Sequence, residues 1–348
     1  MHTDPIVRSI DVGFGNTKYV VISNGNGDIQ CSLFPSLAPQ ASEGAELASG
    51  VLQKRNTVTV EVNGVRYEVG KDANLAQDAT HGRVLDLSYP TTDPYLALVR
   101  GAIYYMGVPE IHLLVLGLPV NSFDKYKEVL EKRITGEHKI PSPLYKSGNG
   151  TPEHITVKVH NVKVQPQPLG AFFDHAVTSG VYSRMRNEMN LLIDAGFYTL
   201  DWIVSRGVKM VNARSGAHSG GMSSILSTMD ESIGKKIGGQ INDLTILDEA
   251  IRTGTNPRFY GKEFDITEQR KLAKAKAEQF VSVLANKVGQ SVDIDNIVLA
   301  GGGASFFKDV ITAKFPHHDI IVTKNPVYAN VRGFQLVGEQ SAARLVGG

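Results

Sequence analysis

The pattern Ile-Asp-x-Gly-Phe occurs twice, at residues 10–14 and 193–197, each time where one apolar run ends and a second is about to begin. Residues 6–10 break at Asp11-Val12-Gly13-Phe14-Gly15-Asn16 and resume as Thr17 to Ile22. Residues 191–193 break at Asp194-Ala195-Gly196-Phe197-Tyr198 and resume through Val204, and with one residue less in this turn Thr199 falls where Thr17 falls. Short β-branched runs on both sides of a Gly-rich break read as strand, turn, strand. A motif repeated half a chain apart in 348 residues describes two like domains rather than a solenoid.

The turns have a chemistry of their own. A tip built on Gly-x-Gly-Asn-Thr presents successive backbone N–H groups with no Cβ in front of them, which suits a phosphate. A carboxylate at the end of a buried strand is costly unless it meets a cation or several donors. Asp11 and Asp194 are therefore candidates to hold a Mg²⁺ ion or its waters. Thr17 and Thr199 add hydroxyls, and Lys18 adds a point charge for β- and γ-phosphates. Other phosphate motifs are excluded. No Gly-x4-Gly-Lys-Ser/Thr is present, and Gly13-Phe14-Gly15 lacks the third Gly and following helix of a dinucleotide fingerprint.

The remaining elements give an α/β chain. Thr57 to Val62 and Val65 to Val69 flank Asn63-Gly64, a two-residue hairpin turn. Thr92-Asp93-Pro94 opens a helix to Met106 that Gly107 stops, residues 111–118 read as one buried strand, and Ser122 caps a helix to Ile134. Residues 35–55 and 136–153 read as loops, 155–164 as one strand, and 170–181 as a helix, with a hinge at 165–175. Asp265 and Glu268 form a capping box for a helix whose apolar stripe includes Leu272, Ala273, Ala277, Phe280, Val281, Leu284 and Val288 and which ends at Gly289. A short strand, 297–300, runs into Gly301-Gly302-Gly303, then come a strand at 320–322 and a closing helix at 332–346.

Composition removes several functions. With 36 Lys+Arg against 35 Asp+Glu, the formal charge of +1 gives no field to hold nucleic acid or an anionic bilayer directly. One cysteine, Cys31, excludes intramolecular disulfides, Cys-based zinc sites and iron–sulfur clusters and fits a reducing, cytoplasmic setting. No run of ~18 apolar residues and no leader pattern is present, so no membrane is expected.

Residues 11–18, Asp-Val-Gly-Phe-Gly-Asn-Thr-Lys, resemble the phosphate-1 motif of the actin, sugar-kinase and heat-shock chaperone superfamily. Residues 194–201 resemble its phosphate-2 motif and 299–304 its adenosine motif, and together the three cover nearly the whole chain. Within the superfamily the chain is most similar to actin-like ATPases of the ParM/StbA plasmid-partition type. The resemblance implies two actin-like (ribonuclease H-like) α/β domains flanking a nucleotide cleft. Residues 1–170 form domain I, with the helix 333–348 packing back on it, and residues 171–332 form domain II. ATP or ADP with Mg²⁺ is held by Gly13, Gly15, Asn16, Thr17, Lys18, Gly196, Phe197, Tyr198, Thr199, Gly301, Gly302 and Gly303, with Asp11 and Asp194 at the metal. Gln167 matches the ParM position where a Glu follows the first Pro of the interdomain crossing, and positions the attacking water. Phe197-Tyr198 stands where a second Gly is common. The second crossing resembles residues 325–333.

The implied function is an ATPase that polymerises into filaments and serves plasmid or DNA segregation through a DNA-binding adaptor. A small-molecule kinase of the same superfamily and a nucleotide-binding scaffold with little hydrolysis are the rivals. Other residues have structural readings: Trp202 belongs to the core, Tyr104-Tyr105-Met106 to helix packing, Lys271, Lys274 and Lys276 to a solvated helix face. Asp201 belongs either to the site or to a local cap. His317-His318-Asp319 is no metal site, because adjacent strand residues point to opposite faces.

Overall fold

Leu191 to Ile193 and Ile297 to Leu299 are fully buried apolar residues on neighbouring parallel strands, and the same arrangement recurs around Ile10 and Leu116. The computed structural model describes residues 5–24, 28–41, 54–76, 85–143, 153–241 and 243–346. They fall into two units, one of residues 1–118, 122–174 and 330–348, the other of 119–121 and 175–329.

The first unit contains β1 (Val7–Val12), β2 (Asn16–Ser23), β3 (Ile29–Pro35), β4 (Thr57–Val62), β5 (Val65–Gly70), α1 (Asp93–Met106), β6 (Glu110–Ile111) and β7 (Leu113–Leu118). Then follow α2 (Val120–Ile134) from its third residue, β8 (Gly136–Pro141), β9 (His154–Val159), β10 (Val162–Pro166) and α3 (Gln167–Thr178) up to Asp174. The second unit holds α4 (Tyr182–Met185), β11 (Met189–Ala195), β12 (Leu200–Arg206), β13 (Lys209–Met210), β14 (Gly216–His218), α5 (Met222–Ile237) and α6 (Thr245–Thr253). It continues through β15 (Arg258–Phe259), β16 (Lys262–Glu263), α7 (Thr267–Val288), β17 (Asn296–Ala300), α8 (Ala304–Lys314) and β18 (Ile320–Val322). Helix α9 (Ala329–Val346) closes the chain.

The duplication seen in the sequence is a duplication of topology. The first unit's main sheet runs β10-β7-β1-β2-β3, the second's β18-β17-β11-β12-β13, with β14 also on β12. In both sheets the Gly-rich hairpin is antiparallel and the two strands on its other side are parallel. Strand β7 is followed by α2 and β17 by α8.

Local chemistry explains why these elements form. Thr92 accepts a hydrogen bond from the Tyr95 amide, and Gly107 ends α1 in the left-handed region at φ 62°. Asn63 and Gly64 both take positive φ in the tight turn between β4 and β5. Helix α9 lies against the first sheet: Ser9 Oγ donates to Val331 O at 2.7 Å and Gln335 Nε2 to Val7 O at 3.0 Å. The Phe334 ring lies so close to Gly117 that a Cβ there would meet it at 2.6 Å. In the second unit α5, α7 and α8 contribute Ile225, Leu226, Phe280, Leu284 and Phe307 to one apolar core that also takes in Trp202.

Several sequence expectations are corrected. The strand expected at 111–118 breaks at His112, where the chain changes partner from β9 to β1: the His112 amide donates to Ile6 O at 2.9 Å. Helix α2 begins at Val120, not at Ser122, which is buried inside it; the Val120 amide is satisfied by Asp201 Oδ1 at 2.9 Å. The strand expected at 155–164 is two, β9 and β10, in different sheets. The loop expected from 136 contains β8, which pairs along its length with β9, and 144–152 lie outside the described residues, as do 42–53 of the other expected loop. Helix α3 starts at Gln167 and α9 at Ala329, each three residues before the expected position. Asp265 bonds the Thr267 amide while Glu268 pairs with Lys236, so no capping box forms, and Leu272 is exposed. No helix among the described residues is long and apolar enough to cross a membrane.

Candidate functional site

In the first unit three expected residues meet at the end of β1. Asp11, 1% exposed, lies opposite Lys18 across the hairpin, and Lys18 Nζ stands 3.0 Å from Asp11 Oδ2. Gln167 opens α3, directly after the edge strand β10, and its Nε2 donates to Asp11 Oδ1 at 2.7 Å. A carboxylate oxygen only accepts, so the amide nitrogen must face Asp11, and the Gln167 carbonyl oxygen is the atom left to orient a water. Both Gln167 and Asp11 are buried, which fixes the pair.

The turn itself is braced from behind. Ser36, directly after β3 and outside the three motifs, donates its hydroxyl proton to Gly13 O at 2.5 Å. That proton being used, the 2.9 Å contact between Thr17 Oγ1 and Ser36 Oγ must have Thr17 as donor. Thr17 is thus turned inward and fully buried, holding the turn's shape from behind. The Ser36 amide completes the brace on Gly15 O at 3.0 Å, and the Gly13 amide closes the turn on Asn16 O at 3.2 Å. A Cβ on Gly13 would stand 3.0 Å from Lys18 Nζ, so bare backbone here lets the ammonium lie over the turn.

In the second unit the other two motifs adjoin. Asp194 sits opposite Ala300 in the parallel β11–β17 pair, which puts the Gly301–Gly303 bend beside it. Gly301 has φ +92°, and a Cβ there would lie 2.3 Å from Asp194 Oδ1 and 2.4 Å from Ala195 O, so this position admits no side chain. Gly303 donates to Ala195 O at 2.9 Å and Gly301 to Pro326 O at 2.9 Å, and α8 begins at the next residue, Ala304.

The turn after Asp194 is short, closed by the Gly196 amide on Thr199 O at 2.9 Å. The carbonyls of Gly196, Phe197 and Tyr198 accept from the amides of Met222, Ser223 and Gly221 at 3.2, 2.7 and 3.0 Å. The start of α5 therefore fixes the orientation of the turn's peptides. Gly221 is required by this contact, since its Cβ would fall 2.5 Å from Phe197 O. Thr199 is buried, and Asp201 Oδ1 accepts from the amide of Val120, a residue of the same unit.

Trp202 is core, 2% exposed, its indole N–H donating to Arg214 O at 3.0 Å. Tyr105 packs against Tyr19 and Phe34, Lys271 and Lys274 are exposed, and Lys276 lies over the Phe280 ring. His318 Nε2 is engaged with the carbonyls of Ser291 and Ile294. Sequence reasoning missed Ser36 and Gly221, of which only the Gly220-Gly221 pair left a mark in the sequence.

Comparisons with known proteins follow the same division. A family model described as the N-terminal domain of actin-like proteins matches residues 9–170, and one described as the C-terminal part of the archaeal MreB-like actin homologue matches 192–313. The chain is an actin-like protein. Among solved structures, the archaeal actin homologue Ta0583 in complex with ADP superposes with TM-score 0.76 at 17% identity, covering 96% of this chain and 99% of that one. A non-polymerisable quadruple mutant of pCBH ParM gives TM-score 0.73 at 21% identity, covering 97% and 100%. A 15-stranded ParM filament from Clostridium botulinum gives 0.72 at 20%, again covering 97% and 100%. These likenesses establish the actin fold of the chain, with filament-forming proteins among its neighbours. No curated protein matches the chain by sequence.

Proposed function

We propose that this actin-like chain binds Mg-ATP through its two matched turns, hydrolyses it, and polymerises in the ATP-bound state. The observation that carries the proposal is the Lys18–Asp11–Gln167 cluster at 3.0 and 2.7 Å, a cation, a carboxylate and a buried amide assembled at the tip of the hairpin that the second unit repeats. The residues fit the ligand. The bare backbone at Gly13 and Gly301 and the buried carboxylates of Asp11 and Asp194 are what a metal-bound polyphosphate requires.

In this reading Lys18 and the turn amides after Asp11 bind phosphate oxygens, Asp11 and Asp194 hold the metal or its waters, and Gly301 to Gly303 give the nucleoside room. The Mg²⁺ ion supplies charge neutralisation for the phosphates. Gln167 directs its carbonyl oxygen at a water while Asp11 holds its amide nitrogen, so Asp11 also serves to orient the glutamine. A glutamine is no base; its contribution is alignment. Gln167→Ala is expected to leave nucleotide affinity within a few-fold and to slow phosphate release ~10²-fold, the loss of one aligned contact. Hydrolysis at the parental rate would remove Gln167 from the mechanism.

The neutral charge balance, +1 over the whole chain, supports a role in plasmid or DNA segregation only through a separate DNA-binding adaptor. Sedimentation of the full chain with Mg-ATP, Mg-ADP or no nucleotide tests the assembly step. Pelleting with ATP alone is expected. A chain that stays in the supernatant and forms ADP only when a small hydroxyl compound is added, with the γ-phosphoryl group carried on that hydroxyl and no free phosphate, would be a kinase of the same fold instead.

A further inference from the structure

The first unit carries a second cluster of ligating side chains, built on the three-stranded sheet β6-β9-β8 and not on the strands that hold Asp11. Strands β6 and β9 are parallel, with Glu110 opposite Lys158 and Ile111 opposite Val159. One step further on, His112 and His160 emerge side by side, their ring centroids 5.2 Å apart and their planes 11° from parallel. Glu110 and His112 are two residues apart in an extended segment and so share a face. Glu110 Oε2 is 2.8 Å from His160 Nε2 and Glu110 Oε1 is 3.8 Å from His112 Nε2. One donor atom from each of the three side chains lies within 4.8 Å of the other two.

We propose that Glu110, His112 and His160 bind a divalent cation of the zinc class. Two imidazoles and one carboxylate form a donor set that Zn²⁺, Co²⁺ and Ni²⁺ favour, whereas Mg²⁺ and Ca²⁺ select oxygen. The backbone under the three residues is already fixed. The His160 amide donates to Ile111 O at 2.8 Å, the His112 amide to Ile6 O at 2.9 Å, and Asn161 Nδ2 to His112 O at 3.2 Å. All three side chains are half-exposed, so water or a further ligand completes the coordination sphere.

One contact sets a condition on binding. The Ile6 amide donates to His112 Nδ1 at 3.1 Å, so a neutral His112 carries its proton on Nε2, the atom facing Glu110. A cation bound at Nε2 displaces that proton; the ring stays neutral by protonating Nδ1, which can then no longer accept from Ile6. Metal binding therefore opens the Ile6–His112 hydrogen bond, and each imidazole binds as the neutral ring with one N–H.

The test is titration of the chelator-treated full chain, without nucleotide, with Co²⁺ followed by Zn²⁺. Visible d–d bands saturating at one equivalent and erased by Zn²⁺ are expected, with faster hydrogen exchange at the Ile6 amide in the loaded protein. Glu110→Gln, His112→Ala and His160→Ala are each expected to weaken binding at least tenfold. Absence of saturable Co²⁺ binding below ~1 mM in the wild-type chain overturns the proposal, as does binding that all three variants retain. Should an alanine variant fail to fold, His160→Gln and the Ile6 exchange rate in the wild-type chain decide in its place.

Discussion

Asp194→Ala is expected to reduce Mg²⁺-dependent ATP turnover by about 10³-fold, the upper range for loss of one group that stabilises transferring charge. Asp11 holds Lys18 and Gln167, so its removal releases two more groups and confounds three losses. Asp194 ends β11 beside Gly301, packed so closely that a Cβ at 301 would fall 2.3 Å from its Oδ1. Truncation there leaves intact the ladder of that strand to β12 and β17, which is made by backbone groups. The far-UV circular dichroism should match the parent, and Asp194→Asn, with the same shape and no charge, should be nearly as inactive. Phosphate release measured across a Mg²⁺ series reads the effect. Turnover within tenfold of the parent would place the metal elsewhere and break the equivalence of the two turns on which the proposed function stands.

The hairpin tips were legible in the sequence because their chemistry is local. Asp, Gly and Thr at fixed offsets make the turn whatever surrounds it, and the repeat doubled the signal. Helix α5 was not legible. The start of its Ser- and Gly-containing run is set by turn carbonyls 23 to 26 residues earlier, a tertiary contact. Strand β8 was hidden for a related reason: Gly136-Glu137-His138-Lys139-Ile140-Pro141 has loop composition, yet His138 and Ile140 are buried and the pairing with β9 makes it a strand. The role proposed for Gln167 came from resemblance; that its nitrogen faces Asp11 came only from the fold. Glu110, His112 and His160 are a cluster only once the register of β6 on β9 is known.

Asp174→Ala is expected to destabilise the first unit by about 3–5 kcal/mol, the cost of leaving a buried charge without its counterion. Arg332 and Asp174 form a two-pronged pair, Nε to Oδ1 at 2.7 Å and Nη2 to Oδ2 at 2.6 Å, with side chains 14% and 2% exposed. Burial pulls the Arg332 pKa down, but the hydrogen bond and charge of Asp174 outweigh it and raise it. The Cys31 thiol near the pair is pushed up to about 12 by burial, so it supplies no anion at neutral pH. Helices α3 and α9 cannot part to admit water cheaply, because they cross at Gly170 and Gly333, where a Cβ on Gly333 would fall 1.8 Å from Gly170 O. The double variant Asp174→Leu with Arg332→Met, which removes both charges together, should lie within about 1 kcal/mol of the parent. Urea unfolding followed by two probes tests this. Trp202, the one tryptophan in the sequence, reports on the second unit, while far-UV circular dichroism reports on both. Asp174→Ala should therefore bring forward part of the dichroism transition and leave the fluorescence midpoint comparatively unmoved. A shift below about 1 kcal/mol in the early phase would mean that Arg332 reaches solvent once Asp174 is gone, and that the glycine crossing does not hold the helices shut.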